Sequence, residues 1–117
     1  MEELLSRLEA IGAETEDTLE RFMNDEEMYL GYVKGFPEEP TMKKLEQAVG
    51  DQDYETAEKE VHALKGIAIN LGFVPMADSA IDMLEELRAD NIPDALEAYE
   101  ELEKQYKKYV EVIVDCR

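Results

Sequence analysis

The stretch Asp53-Tyr54-Glu55-Thr56-Ala57-Glu58-Lys59-Glu60-Val61-His62-Ala63-Leu64-Lys65-Gly66-Ile67-Ala68-Ile69-Asn70-Leu71-Gly72 decides the fold. Ala57, Val61, Leu64, Ala68 and Leu71 recur in steps of three and four, and at about 100° per residue they fall within about 40° of one direction. One face of a helix over about 52–71 is therefore made for burial. On the same wheel His62 lies about 140° from the core direction and Ile69 about 120°, so both are expected to face solvent. Lys59 and Gly66 sit near His62, one turn to either side, and Lys65 flanks it at i+3.

The same period runs outward in both directions. Leu4, Leu5, Leu8 and Ile11 form a short stripe, Leu19, Phe22 and Met23 another, and Met28, Tyr29, Tyr32, Val33 and Phe36 a third. Met42, Leu45, Ala48 and Val49 precede the central helix; Ala77, Ala80, Ile81, Leu84 and Leu87, then Leu96, Tyr99, Leu102, Tyr106, Tyr109, Val110 and Ile113, follow it. No segment alternates with period two, so no strand is expected. Pro37 and Pro40 break the chain, Gly50-Asp51 reads as a C-cap glycine followed by an N-cap, and Gly72-Phe73-Val74-Pro75 and Asn91-Ile92-Pro93 each end one helix and start the next. Links this short force neighbouring helices to run antiparallel. The expected architecture is all-α: an up-down-up-down four-helix bundle with short additional N-terminal helical structure over the first residues. Its members are residues 40–50 with the preceding 25–36 segment, 52–71, 76–90 and 93–114.

Length and composition bound the function. The 117 residues suit one domain spanning 1–117, and 44% hydrophobic residues allow a real core. Thirty acids against twelve bases give a net charge of −18, which argues against nucleic acid and anionic membranes as partners. The single cysteine, Cys116, excludes a disulfide framework within the chain and suggests a reducing, cytoplasmic setting. The opening Met1-Glu2-Glu3-Leu4-Leu5 has no basic region and does not read as a signal peptide. The single histidine excludes multi-His metal sites within one chain.

Several local rules break together around His62. A mid-helix glycine costs about 0.8–1.0 kcal/mol against alanine, yet Gly66 stands there. Ile69 places an apolar group on the solvent face, and two lysines bracket the histidine in a strongly acidic chain. Such convergence marks a functional patch. A neutral imidazole nitrogen is a good nucleophile near neutral pH. Gly66 leaves room beside it for a bulky anion and its donor. Lys65, with Lys59, can offset the charge of a phosphoryl group, each such pair at about 4 Å being worth about 1 kcal/mol in water and about 4 at an effective dielectric of 20. Ile69 and Lys59 would belong to a docking surface for a protein partner.

The run Val61-His62-Ala63-Leu64-Lys65-Gly66-Ile67-Ala68-Ile69-Asn70-Leu71-Gly72 resembles the signature of histidine-containing phosphotransfer (HPt) domains, His-x-Leu-Lys-Gly followed by a small residue and a hydrophobic-Gly pair. Arg21-Phe22-Met23-Asn24-Asp25-Glu26 is similar to the Arg-Phe-x-x-Asp-Glu segment upstream in that family, and the resemblance spans roughly residues 15–110. It implies a phosphorelay intermediate. His62 would accept a phosphoryl group at Nε2 from a receiver-domain aspartyl-phosphate and pass it to another receiver. Lys65 would interact with the phosphoryl group and Gly66 would give access. The implied partners are receiver domains of response regulators or hybrid histidine kinases, which would bring Mg²⁺ themselves; no cofactor is expected in this chain. A carrier of this kind has no ATP-dependent kinase activity of its own, and no Gly-rich phosphate loop is present. A monomer is expected, since one face suffices.

Plainer readings stand beside this one. A non-catalytic bundle that binds receivers or other proteins as an adaptor is the main alternative. A carboxylate-bridged metal bundle needs Glu-x-x-His on two helices, whereas Lys59 stands three residues before the only histidine. Lys59 can simply pair with acids such as Glu55, Asn70 and Gly72 can be helix-end residues, and the Tyr and Met stripes are expected in the core.

Overall fold

The computed structural model describes residues 2–117, Glu2 in its backbone alone. The chain forms α1 (Glu2–Ala10), α2 (Thr15–Arg21), α3 (Glu26–Gly35), a 3-10 turn (Phe36–Glu38), α4 (Thr41–Gly50), α5 (Tyr54–Leu71), α6 (Val74–Arg88) and α7 (Ile92–Asp115). Among the described residues there is no strand, and Ala13 and Phe73 make one isolated antiparallel bridge. The all-α expectation holds.

α4 packs on α5, α5 on α6 and α6 on α7. Their short links (51–53, 72–73, 89–91) reverse the chain each time, giving the antiparallel order. The first bundle member is interrupted. α3 stops at Gly35, Pro37 sits in the 3-10 turn, and the Glu39 carboxylate accepts from the Thr41 N–H at 3.1 Å and the Thr41 hydroxyl at 2.7 Å to start α4. α3 therefore packs against α5 and α7 in its own right. The N-terminal residues are two helices. α1 buries Leu4 and Leu8 and lies on α7, where Arg7 pairs with Asp115 at 3.5 Å; α2 lies on α5.

Two boundary readings need correction. Asp51 does not cap α5. α4 continues through Gly50, Asp51 keeps a right-handed conformation, and the left-handed residue is Gln52 at φ 56°. That leaves Asp53 to accept from the Thr56 N–H as N-cap, and α5 starts at Tyr54. α6 starts earlier than expected, at Val74, because Pro75 belongs to its first turn.

The core holds Tyr29, Phe36, Phe73 and Tyr109 together. Phe73 stacks on Tyr109 with centroids 4.3 Å apart and meets Phe36 edge-on at 5.4 Å. The expectation that the Tyr and Met stripes are core fails in the N-terminal third: Met23 is 89% exposed, Tyr32 61% and Met28 51%. On α3 the buried residues are Tyr29, Leu30 and Val33, with Phe36 just beyond its end, so Met28 and Tyr32, four apart, share the neighbouring outward face. Among the described residues no helix is long and apolar enough to cross a membrane.

Candidate functional site

α5 is held at both ends, and the candidate residues project from its middle. At the N-terminus Asp53 accepts from the Thr56 amide at 3.2 Å and the Thr56 hydroxyl at 2.7 Å, and these bonds lower its pKa below the ordinary aspartate value. At the C-terminus Gly72 is left-handed at φ 77°, and the Phe73 amide donates to the Ala68 carbonyl at 2.9 Å. The last carbonyls, which a helix leaves without internal partners, are taken by the N-terminal segment. Tyr29 donates to Leu71 O at 2.9 Å, Arg21 to Ile69 O at 2.9 Å, and the Glu14 amide to Gly72 O at 2.9 Å. Within that segment Thr18 donates locally to Glu14 O at 2.6 Å. Burial pushes the Tyr29 phenol up to about 12.

Ala57, Val61, Leu64, Ala68 and Leu71 are all buried, which fixes the rotation of α5 about its axis. His62 is consequently exposed, as are Ala63 and Lys59, while Lys65 and Gly66 are half-buried and Ile69 is 43% exposed. A Cβ built on Gly66 would meet no atom within 4 Å, so the space beside the ring is open. The five sequence-predicted residues thus share one surface strip of α5. Among the described residues neither Lys59 nor Lys65 makes an ion pair, and the plainer pairing of Lys59 with Glu55 does not occur; Glu58 on the same helix pairs instead with Arg88 at 3.5 Å. Two ammonium groups therefore stand available near the imidazole. Chemically the strip offers one nucleophilic nitrogen, unobstructed approach and unspent positive charge. Among the described residues no three His, Cys, Asp or Glu side chains cluster as a metal ion would require.

Gly72 has the purely structural role expected of a C-cap. A Cβ there would run into the Thr18 hydroxyl and lie 2.9 Å from Glu14 O. The contacts that other residues make near the strip escaped the sequence reading. Thr18 and Arg21 carry no periodic signal, and Tyr29 reads as one more apolar residue until its hydroxyl is seen on Leu71 O. Between α3 and α5 lies a groove of about 660 Å³ lined by Phe22, Gly31, Tyr32, Gly35, Ile67 and Asn70, among others. No signal for it stood in the sequence: Tyr32 reads as core there, and its exposure appears only in the structure.

The family model for the Hpt domain matches residues 38–111, which takes in α4, α5, α6 and most of α7. The Arg21–Glu26 segment lies outside that match. No curated protein and no solved structure is significantly similar to the chain. The match covers well over half of the 117 residues and contains the whole His62 strip, and with the helical bundle it settles the family: the chain belongs to the Hpt domain family, whose members act in phosphorelays with receiver domains.

Proposed function

We propose that this protein is a phosphorelay intermediate in which His62 carries the phosphoryl group between two receiver domains. The observation that carries the reading is the exposed imidazole on α5 with open space at Gly66 one turn on and, beside it, two lysines that make no ion pair among the described residues. A histidine kept for packing would be buried or bonded. A lone solvated histidine would need neither the mid-helix glycine nor the unpaired cations in a chain of net charge −18.

In the forward step the lone pair of His62 Nε2 attacks the phosphorus of a receiver's aspartyl-phosphate. The new N–P bond forms as the P–O bond to the aspartate breaks, and the carboxylate leaves with that bond's electron pair. The proton on Nδ1 stays on the ring. Delivery to the second receiver is the reverse reaction with a different carboxylate. Lys65 holds the transferring group by charge, Gly66 keeps the approach clear, and Lys59 and Ile69 contact the partner. The receiver supplies Mg²⁺ and most of the machinery; this chain positions the ring and has no ATP-dependent kinase activity. The protein works as a monomer in the cytoplasm, as one domain.

The test is transfer from a panel of phosphorylated receivers to the purified chain. Label should move onto the protein as acid-labile, base-stable phosphate, and His62→Gln should take up none while melting within a degree or two of wild type. Normal labelling of His62→Gln would overturn the assignment, and receiver binding without any labelling of the wild type would favour the adaptor reading.

A further inference from the structure

Arg21 ends α2 and is exposed, with Asp17 four residues before it, the ordinary place for a partner on a helix. Among the described residues it makes no ion pair. Its Nη2 group donates instead to Ile69 O at 2.9 Å, 48 residues further on, and to the Thr18 hydroxyl at 3.3 Å. In a chain of net charge −18, an exposed arginine that passes over a carboxylate for a backbone carbonyl is placed by the fold and not by the nearest charge.

The carbonyl it holds belongs to the His62 strip. Ile69 follows His62 by seven residues, about 10 Å along α5 and about 20° round the wheel, so the two share a face. The Gly72 amide also donates to Ile69 O, at 3.2 Å. The bond from the guanidinium is shorter and charge-assisted, which is the stronger kind. α5 has no basic residue in its last turn, so the cation that complements the negative end of its dipole comes from α2. Tyr29 secures Leu71 O inside the protein, whereas Arg21 secures Ile69 O in the open. Helix ends fray where their carbonyls lack partners. Resting on the relay reading above, in which Ile69 contacts the receiver, we infer that Arg21 is a positioning residue for phosphoryl transfer: its bond to Ile69 O keeps the last turn of α5 wound, so that Ile69 and His62 meet one receiver together. Arg21 acts through Ile69 and not on the reacting atoms. Without that bond Ile69 has to be ordered each time a receiver binds, which raises KM by about three- to tenfold. The ring, Lys65 and Gly66 stand further inside the helix, so kcat is retained.

The test is steady-state transfer from a receiver that labels the wild-type protein, together with amide hydrogen exchange. Arg21→Met keeps an apolar stem and loses the donors; Arg21→Lys keeps a charged donor. Each is made in the wild-type chain and in Ile69→Ala. Arg21→Met should raise KM for the receiver by about three- to tenfold with kcat retained, and Arg21→Lys should recover most of the loss. Exchange should quicken at Gly72 and Phe73, whose amides donate to Ile69 O and Ala68 O, and stay as it was at Val61 and Leu64. In Ile69→Ala the same Arg21→Met should change KM by less than about twofold, since residues that act through one another do not add. An unchanged KM in Arg21→Met, a fall in kcat alone, or unchanged exchange at Gly72 and Phe73 would overturn the positioning role and leave the relay standing. So would a full rise in KM in the Ile69→Ala background, which would put Arg21 on the receiver itself. Failure of every receiver to label the wild type, seen before any variant is made, would overturn the relay reading and the task of Arg21 with it.

Discussion

Two alanine substitutions on one helix should have opposite effects, and the pair tests the geometry of the site closely. Gly66 lies in the interior of α5 with nothing within 4 Å of the point where a methyl group would stand, so Gly66→Ala removes only the entropic penalty of a helical glycine. That penalty is about 0.8–1.0 kcal/mol. At an unfolding entropy of about 2.1 cal/mol/K per residue over a chain of this length, the gain raises Tm by about 4 °C. Gly72→Ala places the same methyl at φ 77°, where an L-residue costs about 1–2 kcal/mol, and drives it into the Thr18 hydroxyl of α2, which packs on α5. Tm should fall by at least about 4–8 °C. Calorimetry on both variants reads the difference, and phosphoryl uptake from a receiver should slow in the more stable Gly66→Ala and more so in Gly66→Glu, which adds charge beside the ring. A neutral or destabilising Gly66→Ala would mean that the space beside His62 is filled, and unchanged transfer in Gly66→Glu would remove Gly66 from the site.

Other outcomes follow from the same contacts. Lys65→Ala should slow transfer or shorten the life of the phosphorylated form with receiver binding little changed; equal rates and lifetimes would make Lys65 a bystander. Tyr29 is neutral in the folded protein up to about pH 12 but ionises near 10 when unfolded, so its contribution is intact below pH 10 and is lost as pH rises towards 12, an effect of about 2–3 kcal/mol; in Tyr29→Phe this part of the alkaline loss should vanish from pH-dependent denaturant melts, and its persistence would contradict the assignment. The same substitution leaves Leu71 O without its buried donor and should cost about 1–3 kcal/mol at neutral pH. Asp53 behaves oppositely: its lowered pKa means that its contribution is present above about pH 3.9 and fades as pH falls through the folded value. Asp53→Asn, which keeps a capping oxygen, should flatten that acid limb in a pH series of thermal melts, and an unchanged limb would show that the cap does not titrate there.

The helical bundle was legible because its signal is repetitive. Ala57, Val61, Leu64, Ala68 and Leu71 fix the face of α5 independently of any partner, and the same residues turn His62 outward. Prolines and glycines marked the links to within a few residues. What was not legible depends on contacts between distant segments. The capping of α5 by Asp53 rather than Asp51 turns on which residue of the link takes the left-handed conformation, and Gln52 gives no compositional hint that it does. The clasp on the end of α5 joins residues about forty to sixty apart, through the side chains of Arg21 and Tyr29 and the backbone amide of Glu14, none of which looks alone like more than ordinary helix surface or core. Tyr32 and Met28 read as core because a period of three to four does not say how wide the buried stripe is, and the groove that Tyr32 lines exists only once α3 lies beside α5.

The central claim, that His62 is the phosphoryl acceptor, is tested most directly by mapping the modification. The wild-type chain, labelled by a phosphorylated receiver and kept alkaline, would be digested and its peptides sequenced by mass spectrometry. A phosphate on the imidazole of His62, and on no other residue, is the expected result. Phosphate on a serine, threonine, tyrosine or carboxylate with His62 unmodified would contradict the account.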